Sequence, residues 1–594
     1  MNLWPPNLAV LSSVAFASLL KPQGDCHKHS HGKTLTISPF FAFAGPRTSQ
    51  PQHSVARSTE FDRRTTDNKL RIGIVGGGIC GNSAAYALAK RLRSNSTWKD
   101  RSHQITVLEG DPNSPLTASD HQENQPPQWG AAAARNANSI VPGSSMHVFT
   151  KKSVVWQIAR DTIEEWYFLG KEWLEQQCYG KQNLLRGNDF AIAPPYFALH
   201  PWKCLGPSAT AEERLSFLRF CRHFLYYSLV RGDLEANNRG HCMCQLAKVN
   251  RDIFLEVAND MNQKGYNIQY SRGFLALYRD LATAKHSQEI TTKHGEEAHL
   301  LSWEEAVAKT PSLNSLSSLM KSPLSVVHRP NEVISSCEQF LRAWMQEIRK
   351  LGVEYRHGQV DKVERVDHKR FRVTCKDGTS QDFDLLVLAA GVCTPLLSAQ
   401  LNAGKYVPTY PLRGFSLTTI AQGQTYCDDD KDNNEPHLLL PTSFSVDSMY
   451  CTSVTPHMAR WAGFGEFVGY PRSNNTPVPA SIGPSILSRY SNLVFPTATR
   501  SKEDVQSCFR PASPDDLPIV GAIPEVPGLF VHTGHGTLGW TTGLATGVCL
   551  AQSMEEYLVE EDAEESNDEN QHAYNLPNGI QIERKFLAPS RFVD

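Results

Sequence analysis

The sequence predicts an α/β protein centred on a nucleotide-binding domain of strands and helices, and three observations predict it. An apolar run, Leu70–Val75, meets Gly76-Gly77-Gly78-Ile79-Cys80-Gly81 and then a stretch from Ser83 to Leu92 with apolar residues at helical spacing. A second apolar run, Ile105-Thr106-Val107-Leu108, ends at the carboxylate of Glu109. Far downstream, Phe383–Ala390 runs into Gly391, and Leu529–Thr533 runs into Gly534, as expected of a domain assembled from separated segments.

The first unit reads as strand, glycine turn, helix. Gly76 permits the tight turn, Gly78 admits a pyrophosphate to the backbone, and Gly81 allows helix and strand to pack closely, with the phosphates at the helix N-terminus. A carboxylate at the end of the next strand accepts both ribose hydroxyls and repels a 2′-phosphate, so Glu109 points to an unphosphorylated adenosine. Lys350–Tyr355 and Val360–Val363 read as further strands. This Rossmann-like unit does not by itself separate NAD from FAD.

The third glycine cluster favours FAD. Gly534, Gly536 and Gly539 stand between a strand and the small-residue helical stretch Thr541–Met554, which lets a flat ligand approach bare backbone. A helix starting there aims its positive end at the ligand, favouring the negative charge that gathers at N1 and C2=O of a reduced flavin.

Composition narrows the alternatives. Of 594 residues, 40% are hydrophobic and 20% charged, which excludes global disorder. With 59 basic against 61 acidic residues, no net field draws the chain to nucleic acid. The 14 cysteines include no C-x-x-C pair, so neither a zinc ribbon nor a disulfide scaffold is indicated. His241-Cys242-Met243-Cys244 fits no common tetrahedral spacing and reads as helix, and no metal is expected.

Leu8–Leu20 has the length of a signal h-region, and the chain from Lys21 to Lys69 is rich in Ser, Thr, Pro, His and Arg and poor in acids. Phe40-Phe41-Ala42-Phe43-Ala44-Gly45-Pro46 resembles the signal-to-transit junction of plastid preproteins in algae with secondary plastids. An organellar location is expected, a plastid before a mitochondrion, with residues 1–68 removed or disordered. No later run is long enough to span a bilayer, so membrane contact is expected to be peripheral at most.

Together the motifs resemble the D-amino-acid oxidase superfamily of FAD-dependent oxidoreductases, nearest its bacterial D-amino-acid dehydrogenase branch. The most specific run is Thr533-Gly534-His535-Gly536-Thr537-Leu538-Gly539-Trp540-Thr541, similar to the flavin loop of those dehydrogenases. Others are Asn136-Ala137 with Pro142-Gly143, Tyr410-Pro411-Leu412-Arg413-Gly414-Phe415-Ser416-Leu417-Thr418, and Phe509-Arg510-Pro511-Ala512-Ser513-Pro514-Asp515 with Pro518-Ile519-Val520-Gly521. They run in order from about Arg71 to Gln552.

The resemblance implies an FAD-binding domain (69–145, 331–404 and 506–554) interleaved with an α+β substrate domain built on an antiparallel sheet (146–330 and 405–505), followed by an acidic tail (555–594). It implies FAD contacts from Gly76 to Gly81, Glu109, Arg135, Asn136, Ala137, Val360, Ala390, Gly391 and Gly534 to Gly539. Arg135 and Asn138 depart from the small residues usual around the Asn-Ala pair.

The resemblance further implies that Arg510 holds the carboxylate of a small amino acid, a task suited to a planar, always-charged fork. Hydride then passes from Cα to flavin N5, giving an imino acid that hydrolyses to a 2-oxo acid and ammonia. His535 is a candidate acid or base or a shaper of the loop, and Tyr410 and Arg413 are candidate pocket residues. The D configuration is expected. A glycine or sarcosine oxidase, a flavoprotein acting on modified tRNA and a scaffold without turnover are the alternatives, and the electron acceptor is open among quinone, soluble carrier and oxygen.

Overall fold

A computed structural model of the protein describes residues 69–94, 102–111, 114, 136–145, 152–179, 197–319, 324–368, 370–420, 442–446, 449–455, 458–471, 482–495, 505–562 and 572–593. All lie in the unit Lys69–Asp594. The leader, Arg135 and the polar stretch Cys427–Glu435 fall outside the described residues.

The nucleotide domain is a six-stranded sheet in the order Ile519–Ala522, Leu529–Thr533, Leu385–Leu388, Leu70–Val75, His103–Glu109, Glu354–His357. All neighbours are parallel except the first pair. The central strands are apolar in both directions because both faces are covered. Ile72, Ile74, Ile105, Val107, Leu385 and Val387 face the helices Ile79–Ser94, Cys337–Lys350 and Gly539–Asp562. Their alternates Val75, Leu108, Leu386 and Leu388 face Val363, Phe371 and Val373 of a three-stranded antiparallel sheet. The strand expected over Lys350–Tyr355 is shorter. The helix Cys337–Lys350 buries Phe340, Leu341, Trp344 and Ile348, and the chain turns at Gly352 (φ +76°) before the strand starts at Glu354.

A second sheet has ten strands. Its path runs Val505–Ala512, Tyr410–Ile420, Met458–Phe467, Met449–Thr455, Ser443–Val446, Ser271–Tyr278, Ser325–Ile334, Ser139–Ile140, mostly antiparallel. Phe415, Trp461 and Phe444 pack on the helix Ile482–Val494 from one face. From the other, Tyr410, Leu412 and Phe467 pack with Phe217 and Phe220 of the helix Ala211–Leu229, which Thr210 and Glu213 start with a reciprocal capping box.

The interleaving is finer than the expected boundaries. Val505–Ala512, placed with the FAD-binding segments by sequence, belongs to the antiparallel sheet, as does Ser139–Ile140. Conversely the helix Gly232–Gln263, from the substrate segment, buries Met243, Leu246, Phe254 and Met261 in the nucleotide-domain core. The expected acidic tail is also corrected. The last long helix continues to Asp562, and residues 573–592 return as a two-stranded hairpin and short turns that bury Tyr574, Leu576, Ile582, Leu587 and Phe592. Those apolar side chains regain a core that the acidic run interrupts.

Candidate active site

Three glycine loops meet at the carboxyl edge of the six-stranded sheet, where doubly wound folds bind ligands. In the first, Gly76 takes φ +111° and its N–H donates to Leu108 O at 2.8 Å. A Cβ at Gly81 would overlap Gly76 O, which is how closely the helix abuts the turn. A Cβ at Gly77 would fall 2.7 Å from Glu109 Oε2. That carboxylate receives the Gly77 and Asp111 N–H groups at 2.8 Å each, and burial pushes its pKa above the ordinary carboxylate value against these bonds. Gly78 differs: a Cβ there would meet nothing within 4 Å, so this face looks into open space. Gly358 N donates to the main-chain carbonyl of Glu109 at 2.9 Å, just before the strand that begins at Val360.

The second loop follows Leu385–Leu388 through Ala390 to Gly391 (φ +56°), the third follows Leu529–Thr533 through Gly534 (φ +78°) and Gly536 (φ +51°) to the helix starting at Gly539. Gly391 and Gly536 also present open faces, whereas Gly534 is packed on Ile519 and Ser513. Gly543 and Gly547 let this helix lie directly on Ile79 and Ser83 of the first one, so the two N-termini are held side by side. Asn136 and Ala137, both half-buried, precede the strand Ser139–Ile140. Asn136 Oδ1 accepts from Asn138 N at 2.7 Å, and Asn138, at φ +54°, leads into the strand whose Ser139 O accepts from Thr541 Oγ1.

Beneath the third loop lies a closed chain of hydrogen bonds that sequence reasoning missed. Cys80 Sγ is 3.4 Å from His535 Nδ1, and His535 Nε2 and His532 Nε2 are each 2.8 Å from Thr546 Oγ1. His532 Nδ1 closes the circuit 3.0 Å from Cys80 O. Burial lowers the pKa of His532 to about 4 and that of His535 well below the usual 6.5, so both rings are neutral near pH 7.

With neutral rings one proton order satisfies all four contacts. His532 Nδ1–H donates to the Cys80 carbonyl, leaving Nε2 to accept from the Thr546 hydroxyl. That hydroxyl accepts from His535 Nε2–H, and His535 Nδ1 accepts from the Cys80 thiol. His535 therefore has no spare lone pair for a substrate proton, and its expected role as acid or base gives way to shaping the loop. Thr546→Val strands two buried ring nitrogens and is expected to lower stability by ~2–6 kcal/mol, whereas Thr546→Ser retains most of it. Denaturant unfolding of the two variants checks this, and equal stability would refute the circuit.

Arg510 lies on the strand Val505–Ala512 opposite Leu412, so these two side chains share a face with Ala512. Its guanidinium lies over Gly414, where a Cβ would overlap it, and Nη1 donates to Phe464 O at 3.0 Å. Phe464, buried at φ +61°, holds a left-handed conformation unusual for an aromatic residue and turns that carbonyl toward the guanidinium. On the same face a cleft of about 650 Å³, counting its open mouth, is lined by Leu412, Ala512, Ser513 and His535–Leu538.

Two expected pocket residues lie elsewhere. Arg413 alternates to the opposite face and forms a buried ion pair with Glu466. Beside them, burial raises Glu165 to about 8 and lowers His200 to about 3, leaving both uncharged at neutral pH. Tyr410 is 1% exposed, its ring centroid 4.9 Å from that of Phe217 and 5.5 Å from that of Tyr470, in the aromatic core rather than on the cleft wall.

A family model described as FAD dependent oxidoreductase (DAO) matches residues 199–553, more than half of the chain. The protein belongs to the DAO family. It is 29% identical over 326 residues, 52% of this chain and 69% of the relative, to a D-amino acid dehydrogenase of Xylella fastidiosa. The fold matches glycine oxidase from Bacillus cereus (TM-score 0.50, 16% identity, 83% of this chain and 96% of that one). It likewise matches L-proline dehydrogenase from P. horikoshii (TM-score 0.51, 14% identity, 89% and 98%). The DAO-family protein is thus an FAD-dependent oxidoreductase, with the Rossmann-like domain and antiparallel sheet that the sequence led us to expect.

The residues present fit FAD. Gly78, Gly391 and Gly536 offer three open backbone faces along one sheet edge. Among the described residues, buried polar atoms of Ser513 and Asn138 beside the third loop have no partner, as groups meant for a polar ligand do. Among the described residues no helix is long and apolar enough to cross a membrane.

Proposed function

We propose that this enzyme oxidises D-amino acids to imino acids, which water converts to 2-oxo acids and ammonia. Bound FAD would supply a two-electron acceptor for the hydride leaving Cα. The chain's own contribution is binding and orientation. Arg510 clamps the substrate carboxylate, Gly414 and the Phe464 carbonyl fix the clamp, and the loop His535–Leu538 borders the space where the substrate meets the cofactor. The observation that carries this reading is Arg510 on the cleft face of its strand, two residues from Ala512 in the cleft wall. A fixed carboxylate leaves rotation about one axis only, and a wall on one side then selects the hydrogen presented to the flavin. The similarity to a D-amino acid dehydrogenase supports the D configuration.

Anaerobic mixing of holoenzyme with paired D- and L-amino acids, glycine and sarcosine, read by flavin absorption, tests it. Bleaching by D-enantiomers is expected, and bleaching confined to L-enantiomers, glycine or sarcosine would reject it. Peroxide formation compared with quinone-analogue reduction identifies the acceptor.

A further inference from the structure

The cleft beside Arg510 is walled by aromatic and long aliphatic side chains, and that wall bears on which amino acid the enzyme prefers. Phe197, Phe220, Phe224, Phe467, Leu412 and Met243 line it opposite the loop His535–Leu538. We propose that this cleft receives the substrate side chain, so that the preferred substrates carry bulky apolar groups, as in D-phenylalanine, D-leucine and D-methionine, rather than the small side chain expected from sequence. This rests on the D-amino-acid reading above.

Geometry ties the cleft to the clamp. Directly opposed residues of an antiparallel pair share a face, and Arg510 opposes Leu412 while Ala512 opposes Tyr410. The guanidinium and the Leu412 and Ala512 walls therefore belong to one surface, and a ligand held by its carboxylate at Arg510 has the cleft as neighbour. Polar groups in the lining, including Ser513, Asp516 and Thr537, belong to loops following the strands, whereas the wall beyond them is apolar. An anionic side chain such as that of aspartate would lose its hydration against this wall and beside the Asp516 carboxyl, and a methyl group would leave the aromatic surface uncovered.

The wall is also preformed. Gly465 has no Cβ, and one would fall 2.6 Å from Phe197 and 2.9 Å from Leu412, so these two side chains close over bare backbone. Phe220 lies 5.4 Å from Phe467 and stacks at 5.8 Å on Phe224, centroid to centroid. Rings fixed by one another need little reordering when a ligand arrives, so burial of the ligand's apolar surface is retained as selectivity. Met243, 1% exposed at the base, is the adaptable element.

Steady-state kcat/KM of the holoenzyme with an artificial acceptor decides the matter. D-phenylalanine, D-leucine and D-methionine are expected to exceed D-alanine and D-aspartate by about 10- to 100-fold. Phe224→Ser, at the half-buried rim, is expected to shrink the D-phenylalanine to D-alanine ratio several-fold, with flavin absorbance reporting that the variant is folded. D-alanine equal to or better than D-phenylalanine, or an unaltered ratio in the variant, overturns the proposal. So does competition between a short-chain quinone and the acceptor that depends on Phe224 while the ratio stays flat, which would assign the cleft to the electron acceptor. Failure of every amino acid to reduce the flavin rejects instead the reading on which the proposal rests.

Discussion

Arg510→Ala is expected to purify yellow, with FAD retained, while kcat/KM for its best amino acid falls by about 10²- to 10⁴-fold. Each charge-assisted hydrogen bond from a guanidinium to a carboxylate contributes ~1.5–3 kcal/mol, and a bidentate clamp makes two. The loss lies largely in turnover as well as in KM, because an unclamped substrate no longer holds its Cα hydrogen toward the acceptor. Arg510→Lys restores charge without the fork and is expected to recover only part of the activity. Gly414→Ala gives an independent check, since the added Cβ overlaps the guanidinium without touching the glycine loops. It should raise KM for the amino acid at least tenfold and leave FAD affinity as it is. A variant lacking the guanidinium that still turns over at the wild-type rate would remove Arg510 from the site.

The parts of this architecture legible in the sequence are those whose requirements are local. A strand, three glycines and a helix within 25 residues state their geometry in order, and the carboxylate at the end of the next strand completes it. Arg510 was singled out only by the resemblance of its motif to the family, and its partners were not legible. Gly414 and the Phe464 carbonyl reach it across a sheet.

The Cys80–His535–Thr546–His532 circuit joins groups 455 residues apart, and no periodicity announces such a meeting. Its one local sign was two histidines three apart around a glycine. Tyr410 and Arg413 illustrate a different limit. Strand alternation assigns them to opposite faces, but only the fold says that one face is an aromatic core and the other a buried ion pair. The returning C-terminus was hidden because an acidic run sets its neighbours' average. Tyr574, Leu576 and Ile582 are spaced as an anchoring hairpin once that average is ignored.

Gly78 and Gly81 of the first loop separate folding from cofactor binding, and substitutions at them are expected to diverge sharply. A Cβ at Gly81 overlaps the Gly76 carbonyl and lies 3.5 Å from Ile74 Cγ2, so Gly81→Ala must push the first helix off the sheet that it covers. Helix and strand are both central to the core, and rigid backbone is the clashing partner, which places the penalty at the upper end of overpacking, ~3 kcal/mol or more. Little soluble protein is expected, and what forms should unfold at markedly lower denaturant. At Gly78 the added methyl meets no protein atom within 4 Å, and its φ is not among the positive values. Gly78→Ala should therefore fold with apo-protein stability within ~0.5 kcal/mol of wild type. The methyl instead occupies the space through which a pyrophosphate approaches the helix N-terminus, so FAD affinity should fall by about 100-fold or more. Measuring unfolding of the apo-protein beside FAD titration distinguishes the two. If Gly78→Ala bound FAD as tightly as wild type, the phosphates would have to cross the sheet edge at one of the other loops.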